Sequence, residues 1–326
     1  MEDGLMRLRR LALCAIPAVV LCGAAHAQTP PPQTTPPPVD TGASAVEDVT
    51  VIGAATRRSM ETYARRIGSG PMGRLSPRWN DRICVRVVNM DAEHAAFLRN
   101  RIATVAGAIG LSPDASPECE PNITVYASDT PALLADRLVE ASPRSFRPAR
   151  ANVSLGDAAL EAFRTSDAPV RWWQVSMPLM ADTGLLATEL GVNDPAPMSR
   201  SAAVRNGSRL RGNVRDDLIG VTVILDLKAL GGVPFSAVSD YVAFVALAPA
   251  DPRAETEGFD TVLNLFDRPG IGGLTLTDED YLFALYSSSR APASAAIQTA
   301  EIADRMATER RRRETLQQQA VGAVRP

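Results

Sequence analysis

Histidine is almost absent from this chain, whose 326 residues include only His26 and His94. Zinc peptidases, and the triads of most serine and cysteine hydrolases, need at least one imidazole beside a metal or a nucleophile. We expect His26 to be removed with an N-terminal signal. His94 lies beside Glu93 in the first turn of a predicted helix, which is typical of a solvated surface residue. The sequence therefore predicts no catalytic histidine and no metal centre.

Lysine is equally scarce, because Lys228 is the only one and all other basic side chains, histidine aside, are arginines. The net charge is −3, and it becomes −4 without residues 1–27, which carry one net positive charge. A mildly acidic chain offers no broad basic surface to a polyanion. This composition argues against nucleic acid as a partner.

Short motifs that hold phosphates or nucleophiles are also missing. The chain has neither the GxSxG elbow of α/β-hydrolases nor a Walker loop. We interpret the glycine-rich stretch 270–273 (GIGG) as a turn. Asp278, Glu279 and Asp280 lack the spacing of a calcium loop, and acidic residues are favoured in the first turn of a helix. We therefore expect no cofactor and a structural role for this acidic triplet.

The N-terminus has the organisation of a secretory signal. Three arginines precede the apolar run 11–24, and a small-x-small site (AHA) places cleavage between Ala27 and Gln28. Removal of residues 1–27 would place the mature protein in the periplasm or outside the cell. The alternative is that this segment is retained as a membrane anchor.

Cleavage would leave two of the four cysteines, Cys84 and Cys119. In an oxidising compartment, two remaining thiols favour one disulfide, and two separate buried thiols are the alternative. Closing a loop of this length stabilises a fold by roughly 3–4 kcal/mol on the chain-entropy model.

The mature chain is expected to divide into a linker, a globular body and a tail. Residues 28–46 are rich in proline and predict an extended, disordered spacer. Residues 47–290 contain the apolar segments of one mixed α/β domain, or of two subdomains that divide near residues 150–165. Residues 291–326 predict a C-terminal helix with an arginine cluster, followed by a tail.

The first half of the domain predicts a β-α-β-α order. Residues 83–90 and 122–128 are β-type apolar runs, and each is followed by a segment with helical spacing. Asp91 and the Thr130-Pro131 pair are suitable helix starts. A disulfide between the starts of the two strands would suit parallel neighbours. Upstream, the candidate elements are an edge strand at 47–53 and a helix at 58–67.

The second half mixes strands and helices and ends in helical sequence. Residues 235–248 are apolar on almost every side, which predicts a buried helix. Thr277 and Asp280 have the spacing of a capping box for the following helix. The other predicted elements are a helix at 157–164, strands at 169–178 and 216–227, and a last helix at about 293–316. The expected fold class is α+β or α/β, with a mixed sheet, a helical C-terminal part and one disulfide.

Four residues are candidates for a ligand surface: Trp172, Trp173, Arg215 and Asp240. Adjacent tryptophans on a strand point to opposite faces, so one ring can enter the core while the other meets solvent or a ligand. Arg215 precedes a buried strand, where an internal ion pair with a neighbouring aspartate is the competing interpretation. Asp240 is the only charge in the buried helix, and it either accepts backbone hydrogen bonds near the helix start or acts as an acid–base group.

Motifs in a fixed order resemble a family of uncharacterised exported bacterial proteins. The motifs are RWNDRICVRVVN, CEPNITV, SDYVAFVALA, DTVLNLFD and LTLTDEDYLFALY, within a resemblance that covers residues 46–288. The later motifs are also distantly similar to a zincin-like metallopeptidase scaffold of another exported family. That scaffold would carry HExxH on the buried helix, whereas the pairs four residues apart here are Ser239/Ala243 and Asp240/Phe244, which cannot bind zinc. The resemblance implies no known activity and, at most, a non-catalytic relative of a peptidase.

Two functions remain open from the sequence. The first is a non-catalytic binding or scaffold module of the cell envelope, whose partner is an envelope protein or a small ligand. The second is a hydrolase that uses carboxylates, with Asp240 or the pair Asp216/Asp217 as the acid–base group. Membrane contact would be limited to an uncleaved signal or to the arginine-rich last helix on anionic lipid.

Overall fold

A four-stranded mixed sheet forms the centre of the fold. The computed structural model describes residues 45–68, 70, 74–147, 154–187 and 211–323. The strands are β1 (Val85–Val88), β2 (Ile123–Ser128), β3 (Val170–Met180) and β4 (Val214–Asp226). They are ordered β1-β2-β4-β3, with β1, β2 and β4 parallel and β3 antiparallel to β4.

Helices cover both faces of this sheet and form the C-terminal part. They are α1 (Ala45–Ile67), α2 (Ala92–Ala108), α3 (Pro131–Ala141), α4 (Pro143–Phe146), α5 (Asp157–Thr165), α6 (Phe235–Leu247), α7 (Leu276–Ser287) and α8 (Ala295–Ala323), with a 3-10 turn at Val262–Asn264. The predicted mixed α/β class with a helical C-terminal part is confirmed.

Several predictions concern the N-terminal segment. The predicted signal, its cleavage site at Ala27 and Gln28, and nearly all of the proline-rich linker lie outside the described residues. Among the helices that are described, none is long and apolar enough to cross a membrane.

The disulfide between Cys84 and Cys119 lies at the start of the β1–β2 pair. Val85 and Ile123 are in parallel register, and the Cys84 carbonyl accepts hydrogen bonds from the amides of Asn122 and Ile123, both at 3.1 Å. The Asn122 side chain reinforces this contact, because its Oδ1 accepts from the Cys84 amide at 2.8 Å. The predicted cysteine pairing and the parallel strands are both confirmed.

Helix α2 begins where the sequence predicts. The Asp91 carboxylate accepts a hydrogen bond from the His94 amide at 3.0 Å and so caps the helix. The positions at helical spacing are buried: Ala95, Leu98, Ile102 and Val105. They belong to the main core, which α2 shares with α6.

Helix α6 is the centre of the main core. From Ala237 to Leu247 every residue except the partly buried Asp240 is buried, as the apolar sequence predicts. The carbonyl groups at the C-terminal end of a helix have no hydrogen-bond donor within the helix. When that end is buried, the donors must come from other parts of the chain.

Side chains from three other segments supply those partners. Gln174 Nε2 donates to the carbonyls of Val245 and Ala248, both at 2.7 Å. Trp79 Nε1 donates to Ala246 at 2.8 Å, and the Tyr286 hydroxyl donates to Leu247 at 2.7 Å. These bonds attach β3, the segment before β1 and α7 to the same helix end.

A second apolar cluster lies on the opposite face of the sheet. It joins Trp173, Val175 and Ile224 to side chains of α3, α4 and α5. Because side chains alternate along a strand, Trp172 enters the main core while Trp173 enters this second cluster. The prediction that the two tryptophans occupy opposite faces is confirmed.

The predicted edge strand at 47–53 is wrong, since these residues are helical and belong to α1. The buried positions of the same helix recur at helical spacing: Met60, Tyr63, Ala64 and Ile67. The helix predicted at 58–67 is therefore the second half of a longer one.

The capping box of α7 lies two residues earlier than predicted. Thr275 Oγ1 accepts a hydrogen bond from the Asp278 amide at 3.3 Å, and the Asp278 carboxylate accepts from the Thr275 amide at 3.0 Å. Thr277 and Asp280 have the same spacing but lie inside the helix.

Reduction of the disulfide is expected to lower the free energy of unfolding by about 3–4 kcal/mol, because the unfolded chain regains the entropy of the open loop. Urea unfolding of residues 28–326, with and without reductant, measures this difference. A Cys84→Ala/Cys119→Ala double variant is the control, and its stability should not respond to reductant. Equal unfolding midpoints for oxidised and reduced wild type would contradict the prediction.

Candidate functional site

Two of the four candidate ligand residues, Trp173 and Arg215, are used inside the fold. The Trp173 ring is 2% exposed, and its Nε1 donates to the Phe146 carbonyl at 3.2 Å. Arg215 Nε lies 3.0 and 3.1 Å from the two carboxylate oxygens of Asp217. Burial raises the pKa of Asp217 although Arg215 opposes this shift. The internal ion pair is therefore what the structure shows, and neither side chain faces a ligand.

Asp216 is also bound by groups inside the fold. Its carboxylate accepts hydrogen bonds from Arg74 and from the Leu75 amide, the latter at 3.0 Å. Asn80 donates to the adjacent Asp217. Together the two aspartates fasten the start of β4 to the segment that precedes β1.

Asp240 is satisfied by an arginine and a backbone amide. Arg101 of α2 donates to its Oδ1, and the Leu274 amide donates to its Oδ2 at 3.1 Å. Asp240 therefore accepts a backbone hydrogen bond, as expected, and the amide comes from the loop before α7. Gly273 permits the approach, since a Cβ there would clash with the carboxylate of Asp240. The glycine-rich stretch 270–273 thus places a loop against this carboxylate.

Asp278 is the most heavily bonded carboxylate of the acidic triplet. It is fully buried and accepts hydrogen bonds from the hydroxyls of Tyr63 at 2.7 Å and Thr261 at 2.6 Å, and from the Val262 amide at 2.7 Å. Burial raises the pKa of Asp278 although these donors oppose the shift. The carboxylate joins α1, the 3-10 turn and α7.

Asp280 is also fully buried and pairs with the arginine cluster of α8. Arg310 Nε lies 2.7 Å and Arg313 Nε 3.6 Å from its carboxylate oxygens. Part of that cluster therefore holds α8 on α7. Within the described ranges, no group of three or more His, Cys, Asp or Glu side chains could hold a metal ion.

His94 lies on the surface, with 53% of its side chain exposed. Its Nδ1 is 2.8 Å from Asp91 Oδ2, and this hydrogen bond raises the pKa of His94. The imidazole also meets the Phe235 ring edge-on at 4.9 Å. These contacts agree with the interpretation of His94 as a solvated helix residue.

A cavity of about 480 Å³ lies where β3, α6 and the segment 251–267 meet. Its lining includes the rings of Trp172, Tyr241 and Phe266, and we call it the aromatic cavity. Tyr241 contacts Trp172 edge-on at 5.9 Å and Phe266 at 5.4 Å, measured between ring centroids. Small-molecule sites commonly have this volume and an aromatic lining. Of the four sequence candidates, Trp172 alone lines this cavity.

Tyr241 carries an unused polar group in this lining. It is 6% exposed, and its hydroxyl has no hydrogen-bond partner among the described residues. Burial, together with the charge of Asp267, raises the pKa of Tyr241, so the phenol is neutral at ordinary pH. In contrast, Trp172 Nε1 donates to the Ala250 carbonyl at 2.9 Å, which fixes that ring. A buried polar group without a protein partner is a usual position for a water or a ligand.

The two arginines of the aromatic cavity are engaged by the protein. Arg253 Nε and Nη2 each lie 3.0 Å from a different carboxylate oxygen of Asp251. Arg171 is 4% exposed and donates to the carbonyls of Phe163 and Arg164 at the end of α5. Burial lowers the pKa of Arg171. Arg253 is therefore ion-paired, whereas Arg171 has no carboxylate partner among the described residues and its buried Nε has no hydrogen-bond partner.

The remaining charges of the cavity are carboxylates. Asp167 and Asp267 are exposed side chains in its lining. Within the part of the chain that is described, neither forms an ion pair with an arginine or lysine. The aromatic cavity therefore has an apolar wall and a negatively charged rim.

A second cavity of about 1030 Å³ adjoins the first and shares Ala254, Thr256 and Asp267 with it. We call it the acidic cavity, because Glu255 and Glu257 add two exposed carboxylates to its lining. A third cavity of about 300 Å³ lies around Arg78, Trp79 and Tyr286. Asp216, Asp217 and Asp240, the acid–base candidates, line none of these three cavities.

Sequence analysis identified Trp172 and missed Tyr241, Phe266 and Asp267. The sequence did contain a signal for Tyr241, because a tyrosine hydroxyl in an otherwise apolar helix needs a hydrogen-bond partner or an opening to solvent.

The pattern GSGPMG at 68–73 has the glycine spacing of a dinucleotide loop. It follows α1 rather than a strand, so the context that such a loop requires is absent.

Comparison with protein-family models, with curated proteins and with solved structures finds no match to this chain.

Two tyrosine-to-phenylalanine variants should differ sharply in stability. Tyr63→Phe removes a buried donor from Asp278 and is expected to lower the free energy of unfolding by about 1–3 kcal/mol. Tyr241→Phe removes a hydroxyl without a protein partner and should change it by less than about 0.5 kcal/mol. Urea unfolding of both variants provides the comparison. A large loss in Tyr241→Phe would show that its hydroxyl is bonded inside the protein.

The pKa of His94 is expected to lie above 6.5, because Asp91 binds the protonated ring. In residues 28–326 His94 is the only histidine, so one set of imidazole NMR signals reports it. Asp91→Asn should return this pKa towards 6.5, and Glu93→Gln should lower it less. Since the folded-state pKa is raised, His94 contributes to stability below pH 6.5, and this contribution is lost as the pH rises through the folded-state value. A pKa that is unchanged in Asp91→Asn would contradict this assignment.

Proposed function

We propose that this protein is an exported, non-catalytic binding module of the cell envelope, and that the aromatic cavity is its ligand site. The observation that carries the proposal is the cavity itself. It has the size of a small-molecule site, a wall of three aromatic rings and a tyrosine hydroxyl that no described residue engages.

Binding is favoured over acid–base catalysis because the candidate carboxylates are occupied. Asp216 binds Arg74, Asp217 binds Arg215, and Asp240 binds Arg101. A general base must reach the proton that it removes, either directly or through one water. Carboxylates that are paired inside the fold and line none of the described cavities do not meet this condition.

The distant similarity to a zincin-like scaffold fits the same proposal. The resemblance would make α6 the counterpart of the helix that carries the zinc ligands in that scaffold, and here Ala243 and Phe244 are fully buried core residues. The chain would then be a relative that binds without hydrolysing.

Export remains part of the proposal, and the disulfide supports it, since such bonds persist mainly in oxidising compartments. Intact-mass analysis of the exported protein tests this part, with a mature N-terminus at Gln28 as the expected result.

The assignment of the aromatic cavity as the ligand site can be tested with a substitution that fills the cavity. Ala254 is a small residue of its lining, so Ala254→Phe should block entry, whereas Ala141→Phe places the same side chain at an exposed position on α3. Ligand-observed NMR with a library of cationic, anionic and neutral small molecules should find compounds that bind wild type and Ala141→Phe but not Ala254→Phe. Thermal unfolding confirms that both variants are folded.

Binding that survives in Ala254→Phe, or a library without any saturable binder, would contradict the assignment of this site. Chemical conversion of a bound compound by wild type but not by Ala254→Phe would show an enzyme instead.

A further inference from the structure

We infer that the aromatic cavity takes an organic cation, namely an ammonium group on a small apolar body, with Trp172, Tyr241 and Phe266 around the head group and Asp267 as its counter-charge. This inference rests on the proposed function and specifies the ligand class of the same site.

The first argument comes from the arrangement of the rings. Tyr241 stands between Trp172 and Phe266, and its plane is inclined by 70° to the first ring and by 57° to the second. Rings inclined in this way pack edge-to-face rather than stack, and all three contribute to the lining of one cavity. The negative faces of aromatic rings attract cations, and groups of such rings are a known way to bind ammonium ions.

The second argument comes from the distribution of charge. Arg253 is paired with Asp251, and Arg171 is 4% exposed and donates through Nη1 to carbonyls at the end of α5, although its Nε has no partner. The carboxylate of Asp267 has no ion-pair partner among the described residues, and it lies close enough to raise the pKa of Tyr241. A cation would therefore meet an unpaired negative charge beside the rings.

The adjoining acidic cavity continues this opening. Its lining holds two further exposed carboxylates, Glu255 and Glu257, and two arginines. Arg66 lies over the Phe259 ring at 5.7 Å, and Arg268 donates to the Phe259 carbonyl at 3.3 Å. With the shared Asp267, three carboxylates and two guanidinium groups leave one excess negative charge, which favours a cation.

The hydroxyl of Tyr241 is the third argument, because it is an uncommitted polar atom within a 94% buried side chain. Such a hydroxyl can accept a hydrogen bond from an ammonium N–H or donate one to a hydroxyl on the ligand. An anionic ligand would instead need a positively charged donor at the opening, whereas the exposed charges of the lining, outside the Arg253–Asp251 pair, are the carboxylates Asp167 and Asp267.

Choline and its uncharged isostere 3,3-dimethylbutan-1-ol provide a direct test with the mature protein. Calorimetry or quenching of tryptophan fluorescence should show saturable binding of choline, at least about tenfold tighter than that of the isostere, because only the cation interacts with the ring faces and the carboxylate. Benzoate serves as the anionic probe and should not bind.

Single substitutions test which side chains of the aromatic cavity bind choline. Asp267→Asn should weaken choline binding by roughly tenfold and reduce the preference over the isostere, since a charge at close range has been removed. Phe266→Leu should weaken it by about fivefold. Glu118→Gln removes an exposed carboxylate far along the chain from this cavity and should leave the affinity unchanged, and thermal unfolding shows that each variant is folded.

Equal affinity for choline and the isostere, preferential binding of benzoate, or an Asp267→Asn variant that binds choline like wild type would each overturn the inference. If choline does not bind but other compounds bind wild type and are lost in Ala254→Phe, the cation inference fails and the binding function stands. If no compound binds in either experiment, both fail.

Discussion

The carbonyl oxygens at the C-terminal end of α6 need hydrogen-bond donors, and this need determines the arrangement of several other segments. A helix end that is closed off from water must find a donor for each free carbonyl, because an unsatisfied buried group is strongly unfavourable. Trp79, Gln174 and Tyr286 provide these donors from three separate parts of the chain. Trp172 makes a similar bond to the Ala250 carbonyl, just beyond the helix. The same requirement therefore builds the core and fixes one wall of the aromatic cavity.

The buried carboxylates follow a related rule. A charge removed from water is tolerated when it is paired and hydrogen-bonded. Asp217 is paired with Arg215 and Asp240 with Arg101, and both are also hydrogen-bonded. Asp278 has no charged partner among the described residues and is held by neutral donors, among them the distant Tyr63. Other groups of the protein already bind the oxygens of these three carboxylates, so the aspartates contribute to the stability of the fold rather than to acid–base chemistry. In the lining of the aromatic cavity, the phenol of Tyr241 has no hydrogen-bond partner and the carboxylate of Asp267 has no ion-pair partner among the described residues.

Patterns that are local in sequence predicted most of the fold. The start of α2 depends on Asp91 and its own first turn, and the burial of α6 depends on its composition. Predictions failed where a distant partner decided the outcome. Asp278 rather than Asp280 forms the capping box, and Tyr63, which is 215 residues away, donates to the same carboxylate. The aromatic cavity could not be predicted, because its walls come from β3, α6 and the segment 251–267 and no local pattern indicates that they meet.

The order of the strands separates the covalent bond from the aromatic wall. β1, which begins beside Cys84, is one edge of the sheet, and β3, which carries Trp172, is the other. Two strands lie between them, which corresponds to about 14 Å at the usual strand spacing. The disulfide and the aromatic wall therefore belong to opposite edges of the sheet, so cleavage of the sulfur–sulfur bond removes no direct contact of that wall.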